Sequence, residues 1–494
     1  MKNCTPEQAG ISSRQVRRFF ESLEAAHLST HSVIMARGDR IFAECYYAPF
    51  HRNFPHRMYS VSKSFVAIAV GFCEQDGLFS LDDKVISFFP EYAGERLYGS
   101  SRMREATVRD YLTMRTPLER EINWFRSGCT DRTRLYFQNE ANKFPGTQFQ
   151  YDSSGTYVLG VVVEKLTGKP FLDYLREKCL GAIGFSGEAF CLQCPGGHSW
   201  GDSGVICTAN DLLLFARFVM NGGKWNGKQY LNSKYVKAAT TPSVSTDDYG
   251  FLFPGDTYGY GYYFWGEPQG CFSMLGMGGQ IALCDPKHDF IFIINSDNQG
   301  NPHLYTEIEN NLFRNVIESF SDDPLPDDPE ERKKLNDLLS SRKLFCLDGV
   351  KASRFAEQID GKKFVCEDNP MGIEWFTLRF EGDRGTFFYR NRQGKKQMPF
   401  GFGHNEYAKF PETGYSDRIG TVPAPGNQYD AAFSADWVEP QKLRIRVQII
   451  DRYFGNLGIV FGFSDGDHVT LRMTKCAEDF LKEYNGIANA TAEG

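Results

Sequence analysis

Residues 64–70, Ser64-Phe65-Val66-Ala67-Ile68-Ala69-Val70, are apolar at nearly every position. A helix built from them has no polar stripe to offer water, so it must run through the middle of a large core. Tyr59-Ser60-Val61-Ser62-Lys63 stands at its entrance. Residues three apart on a helix are surface neighbours, roughly 5 to 6 Å between Cβ atoms, so Ser60 and Lys63 fall on one face within reach of each other. A serine hydroxyl attacks well only when a base takes its proton. A lysine serves as that base only when neutral, and burial against an apolar helix start lowers its pKa from about 10.4. The free N–H groups at such a helix start also favour an oxyanion forming beside Ser60. Nucleophile, base and part of an oxyanion hole are therefore expected from one turn. A second S-x-x-K, Ser340-Ser341-Arg342-Lys343, lies in a charge-rich stretch and reads as a solvated helix end.

Further along, Pro145-Gly146-Thr147-Gln148-Phe149-Gln150-Tyr151-Asp152-Ser153-Ser154-Gly155 precedes the apolar run 157–163, a turn presenting Tyr151 and Ser153 ahead of a buried helix. Residues 273–286 carry Gly276-Met277-Gly278-Gly279-Gln280 and lead into Phe290-Ile291-Phe292-Ile293-Ile294-Asn295, a buried hairpin whose glycines permit close backbone approach.

In the order and spacing of these three motifs, residues 5 to 320 resemble the serine β-lactamase and penicillin-binding protein superfamily, in its class C β-lactamase-like branch of esterases and D-aminopeptidases. Asp76-Gly77-Leu78-Phe79-Ser80-Leu81-Asp82-Asp83, Leu166-Thr167-Gly168-Lys169-Pro170 and Gly204-Val205-Ile206-Cys207-Thr208 follow in the family's order. The resemblance implies that Ser60 is the acylated nucleophile, Lys63 its base and Tyr151 a proton relay. It places the oxyanion hole at the backbone N–H groups of Ser60 and Gln280, with Gly278 and Gly279 in the third motif. Two positions depart from the pattern: Ser153 stands where the family has Asn, and Met277 where Lys or His opens the third motif. The attacking machinery is kept while the group that grips a carboxylated substrate is not.

Other strings have blander readings. Gly201-Asp202-Ser203-Gly204 and Ala25-Ala26-His27 echo chymotrypsin-like proteases, but His27 ends an amphipathic helix pattern rather than a strand, so both read as accidental. Cys191-Leu192-Gln193-Cys194 with His198 nearby lacks the second C-x-x-C of a structural zinc site and the βαβ setting of a redox pair; no metal and no cofactor is expected. Tyr258-Gly259-Tyr260-Gly261-Tyr262-Tyr263-Phe264-Trp265 reads as strand and pocket wall.

A net charge of -7 without a basic patch argues against nucleic acid as a partner. No apolar run of about 18 residues and no leader-like start appear, and thirteen scattered cysteines suit reduced thiols. The expectation is a soluble, cytoplasmic protein without a membrane partner, its oligomeric state open. The fold expected for residues 1–321 is α+β, an antiparallel sheet flanked by helices with a helical insertion. Proline and acid mark a linker at 322–334, and alternating segments such as 442–450 and 458–463 make 335–494 an antiparallel β domain, open to closure as a barrel. The function expected is a serine hydrolase acting through a Ser60 acyl-enzyme on a small-molecule ester or peptide-like substrate. Esterase activity comes first. The alternatives are a D-aminopeptidase-type amide hydrolase and a catalytically weak ligand-binding relative.

Overall fold

The computed structural model describes residues 1–93, 101–122, 129–247, 258–413, 428–451, 453–477 and 484–494. Two compact units divide at Lys343/Leu344.

The first unit is built on a seven-stranded sheet. Its strands are β1 (Lys2–Asn3), β2 (Thr30–Arg37), β3 (Arg40–Tyr46), β6 (Trp265–Gly266), β7 (Phe272–Gly276), β8 (Gln280–Asp285) and β9 (Phe290–Ser296), in the order β1-β3-β2-β9-β8-β7-β6. All neighbours are antiparallel except β1 with β3. The β2–β3 hairpin turns at Gly38, whose positive φ of 60° suits a residue without a Cβ. β2 and β9 read as apolar runs rather than alternating patterns because both faces of the sheet are covered. On one face Phe19 of α1 (Ser13–Ala25) meets Phe292 edge to face, ring centroids 5.4 Å apart. On the other, the Cys284 thiol faces the Ala216 carbonyl of α4 (Ala209–Met220).

Between β3 and β6 the chain forms the helical insertion. Its axis is α2 (Ser62–Gln75), buried continuously from Ser62 to Cys73, as the unbroken apolar run requires. α3 (Ser153–Thr167) packs beside it, capped by Asp152, whose Oδ1 accepts the Gly155 N–H at 3.1 Å. Two short strands, β4 (His56–Arg57) and β5 (Val205–Cys207), pair antiparallel and tie the approach to α2 to the segment around residue 202. After the sheet come α5 (Leu304–Asn315) and α6 (Pro329–Ser340). α6 packs on α1 and β3, so part of the proline- and acid-rich stretch read as linker is a helix of the first unit. Ser340 and Lys343 are exposed at its end. The aromatic run 258–265 departs from the expected strand. Only Trp265 enters β6, while Tyr260 makes isolated bridges to Val244 and Trp265, because glycines at 259 and 261 fit where a Cβ would strike carbonyl oxygens of Val244 and Ala239.

The second unit is a β barrel. Its strands run from Lys363–Cys366 through Trp375–Glu381, Arg384–Asn391, Gly394–Gly401, Glu406–Thr413, Gln428–Glu439, Lys442–Ile450, Phe454–Phe463 and His468–Cys476 to Gly486–Ala492. The sheet closes where Gly401 pairs with Ser434. Closure removes the free edges that an open sheet of this size would expose. Along Lys442–Ile450 the inward residues Leu443, Ile445, Val447 and Ile449 are buried. Phe376, Phe387 and Phe461 form an aromatic cluster inside, with centroids 5.1 to 5.8 Å apart.

Candidate active site

Ser60 lies in a single 3-10 turn, Tyr59–Val61, that runs directly into α2. The turn is held under tension. Tyr59 has φ 48°, uncommon for a residue with a side chain, and is fully buried beneath the Arg57 guanidinium, 4.1 Å from its ring centroid. This sets the Ser60 hydroxyl at the helix entrance with Lys63 one turn on. The Lys63 Nζ lies 2.9 Å from Ser60 Oγ and 2.9 Å from the main-chain carbonyl oxygen of Asp202. Lys63 is 1% exposed. Desolvation lowers its pKa from 10.5 to about 8, the charge of Arg132 adding to that effect while Asp202, Glu121 and Asp152 oppose it.

Tyr151 completes the cluster. Its ring covers Lys63 Nζ at 4.9 Å, and its phenol is within hydrogen-bonding reach of Ser60. Burial pushes the phenol pKa up, so the hydroxyl keeps its proton at neutral pH. Trp265 stacks on its outer face, centroids 5.8 Å apart at an interplanar angle of 19°. Ser153 is the first residue of α3 and nearly buried, directly after the Asp152 cap.

The third motif is a rigid turn between β7 and β8. A Cβ on Gly276 would stand 2.3 Å from the Met58 carbonyl oxygen, so glycine there lets the sheet edge press against the Ser60 turn. Gly278 and Gly279 have φ of 81° and 94°, and a Cβ on Gly279 would meet Ser296 Oγ at 2.3 Å. The turn is tied from within. Gln280 Nε2 donates to the carbonyls of Met277 and Ser296, each at 2.8 Å, and Ser296 Oγ donates to those of Gly278 and Gly279. The Tyr305 hydroxyl donates to the Gly276 carbonyl at 2.8 Å. Gln280 thus spends its side chain on the turn, while the half-buried Met277 brings a thioether where a charge is the family habit.

Asp202 has a role that the string Gly201-Asp202-Ser203-Gly204 does not disclose in the sequence. The Gly201-Asp202-Ser203 segment supplies the carbonyl that holds Lys63, and the Ser203 hydroxyl accepts from Arg57 Nη2 at 2.9 Å. Nothing local could have shown this, since 139 residues separate Lys63 from Asp202. Cys191 and Cys194 lie behind the segment with their thiols pushed up by burial, and His198 pairs with Glu164 at 2.9 Å. Among the described residues no group of three His, Cys, Asp or Glu could hold a metal ion, and no helix is long and apolar enough to cross a membrane.

The family model named Beta-lactamase matches residues 16–312. The chain is 27% identical over 281 residues to a 6-aminohexanoate-dimer hydrolase of Paenarthrobacter ureafaciens, covering 53% of this chain and 71% of that one. Among solved structures, EstCE1, described as a hydrolase with promiscuous acyltransferase activity, superposes with a TM-score of 0.50 at 17% identity, covering 62% of this chain and 99% of its own. SurE with D-Leu superposes with a TM-score of 0.50 at 14% identity and covers 98% of this chain and 99% of its own, which extends the likeness of fold through the barrel. The chain belongs to the beta-lactamase family and is a serine hydrolase.

Proposed function

We propose that Ser60 is the acylated nucleophile, that Lys63 in its neutral form takes the Ser60 proton, and that Tyr151 passes a proton to the leaving group. The observation that carries this reading is the fully buried Lys63 amine, 2.9 Å from Ser60 Oγ with its pKa brought down to about 8. At that value a useful fraction of the amine is neutral near physiological pH, and the Ser60 hydroxyl can donate into its lone pair. The hydrogen bond that the amine donates to the Asp202 carbonyl, at 2.9 Å, fixes its direction. The protonated Tyr151 phenol suits a general acid. The oxyanion is assigned to the backbone N–H groups of Ser60 and Gln280, with the glycine-tied turn keeping the second donor in place.

Short, uncharged acyl esters are the substrates this reading favours. Met277 supplies neither charge nor a strong donor for a substrate carboxylate, and the ester needs no such grip to be attacked. Amide hydrolysis is the second reading. It is favoured by the relative named a 6-aminohexanoate-dimer hydrolase, whose substrate name describes joined amino acids. A catalytically weak ligand-binding protein would not need a neutralised lysine against its serine. Reaction of the full chain with a fluorophosphonate, read by intact mass, tests the nucleophile: a single adduct lost in Ser60→Ala is expected, and an adduct that survives the substitution overturns the assignment. A panel of p-nitrophenyl esters and amino-acid amides then separates the two substrate readings.

A further inference from the structure

Arg132 and Asp202 form a buried ion pair. Arg132 Nη1 and Nη2 donate to Asp202 Oδ1 and Oδ2 at 2.8 and 3.2 Å, with side-chain exposures of 2% and 4%. Trp200 Nε1 donates to Oδ2 at 3.1 Å. The guanidinium lies over the Tyr157 ring at 4.3 Å. A second buried arginine, Arg57, grips the same segment through the Ser203 carbonyl and hydroxyl, both at 2.9 Å, and stacks on Trp200 at 4.3 Å. Two buried guanidinium groups are thus devoted to one four-residue stretch, Trp200–Ser203. Gly201 within it leaves no room for a Cβ without Val66 giving way at 3.0 Å. The outcome of that bracing is a single main-chain oxygen, that of Asp202, aimed at Lys63 Nζ from 2.9 Å.

A buried ion pair is weak evidence for stability, since apolar replacements of equal volume often do as well. A reason other than stability is therefore worth seeking, and the carbonyl supplies it. We propose that the Arg132–Asp202 pair is a positioning device for the general base: its bidentate clamp fixes the Asp202 carbonyl, which orients the Lys63 amine on Ser60, and its two opposite charges set the balance between the amine and the ammonium. This rests on Lys63 acting as the base. The charged and titratable groups facing Lys63 are Asp202 and Arg132, Glu121 and Asp152, with Ser60 and Tyr151 in contact. Removing Arg132 leaves the Asp202 carboxylate uncompensated and favours the ammonium. Removing the Asp202 charge does the reverse, because Arg132 then repels a proton on Lys63. The two changes must move the base in opposite directions, which general damage to the fold would not do.

The test is the pH profile of p-nitrophenyl acetate hydrolysis by the full chain, with thermal melting recorded for each variant. In Arg132→Met the acid limb of kcat/KM should move up by roughly one pH unit, and in Asp202→Asn down by a similar amount, the scale expected for a nearby charge acting on a buried amine. Loss of the clamp should lower kcat roughly 10- to 100-fold, the scale of a small misplacement of a catalytic group, with KM changed far less. Arg132→Lys keeps the buried charge but not the bidentate fork, so its limb should stay in place while kcat falls. It also decides the matter with Asp202→Asn if Arg132→Met does not fold. Limbs that stay put or move the same way in folded Arg132→Met and Asp202→Asn overturn the proposal. Lys63→Ala separates this from failure of the base assignment: if Lys63→Ala remains active the base reading falls, whereas an inactive Lys63→Ala beside unaltered pair variants sinks only the positioning role.

Discussion

The pH dependence of the wild-type enzyme is where the structure commits itself most. Bringing the Lys63 pKa from 10.5 to about 8 corresponds to a penalty of about 3 kcal/mol on the charged form at 1.36 kcal/mol per unit. At pH 7 roughly a tenth of the amine is then neutral, against about three in ten thousand for an unperturbed lysine, a gain of roughly 300-fold in competent base. kcat/KM for an uncharged ester should therefore rise about tenfold per pH unit below 8 and level off above it. The same shift fixes a stability signature. The folded-state pKa lies below the unfolded value, so between about pH 8 and 10.4 the unfolded chain holds a proton the folded chain has released, and stability rises with pH through that window. Below it the folded protein carries the full penalty. Lys63→Met, of similar length and apolar, should remove activity yet stabilise the first unit at pH 7 by about 1 kcal/mol, after roughly 1 kcal/mol is subtracted for each of two lost hydrogen bonds. The advantage should vanish near pH 9 and give way to a deficit of about 1 kcal/mol at pH 10. Stopped-flow or plate-based hydrolysis of p-nitrophenyl acetate from pH 6 to 10, with urea unfolding at pH 7 and 10, measures both. A profile flat from pH 6 to 9, or one still climbing at pH 10, would refute the reasoning that burial prepares this lysine.

Ser60→Ala should abolish ester hydrolysis and probe labelling at a structural cost of about 1 kcal/mol for the lost hydrogen bond to Lys63, and Tyr151→Phe should slow turnover by roughly 10² to 10⁴ as loss of a proton donor does; single-turnover assays on folded variants check both. Gly276→Ala places a methyl 2.3 Å from the Met58 carbonyl oxygen, so the sheet edge must recede from the Ser60 turn, with destabilisation of about 1 to 3 kcal/mol and a marked loss of kcat; a variant with unchanged melting and activity would show that the approach is not needed. Without a charge-assisted bond to the substrate carboxylate, worth about 1.5 to 3 kcal/mol, β-lactams should bind productively roughly 10- to 150-fold worse than in relatives that have one. Met277→His should raise the ratio of nitrocefin to p-nitrophenyl ester kcat/KM, and efficient nitrocefin turnover by the unmodified protein above its ester activity would remove Met277 as the determinant. Prolonged chelation should leave the ester rate unaltered, and a loss restored by zinc would return Cys191, Cys194 and His198 to consideration.

What could be read before folding was whatever neighbours along the chain decide. The i, i+3 spacing of Ser60 and Lys63 and the apolar run behind them specify a lysine forced toward neutrality, because helix geometry and burial are local consequences of the residues present. The strands of the barrel followed in the same way from alternation. The tertiary structure alone decided what faces the Lys63 amine. The Asp202 carbonyl is brought to Lys63 across 139 residues, and Arg132 to Asp202 across 70. The string Gly201-Asp202-Ser203-Gly204 looked accidental because its role is carried by a main-chain oxygen, which every residue possesses and no side-chain pattern marks. The same reason hid the part played by Gly276, whose importance is the absence of an atom against a carbonyl distant in sequence. Local spacing names the reacting groups; the long-range closure of the chain sets their direction and their charge, because both depend on atoms that only folding brings together.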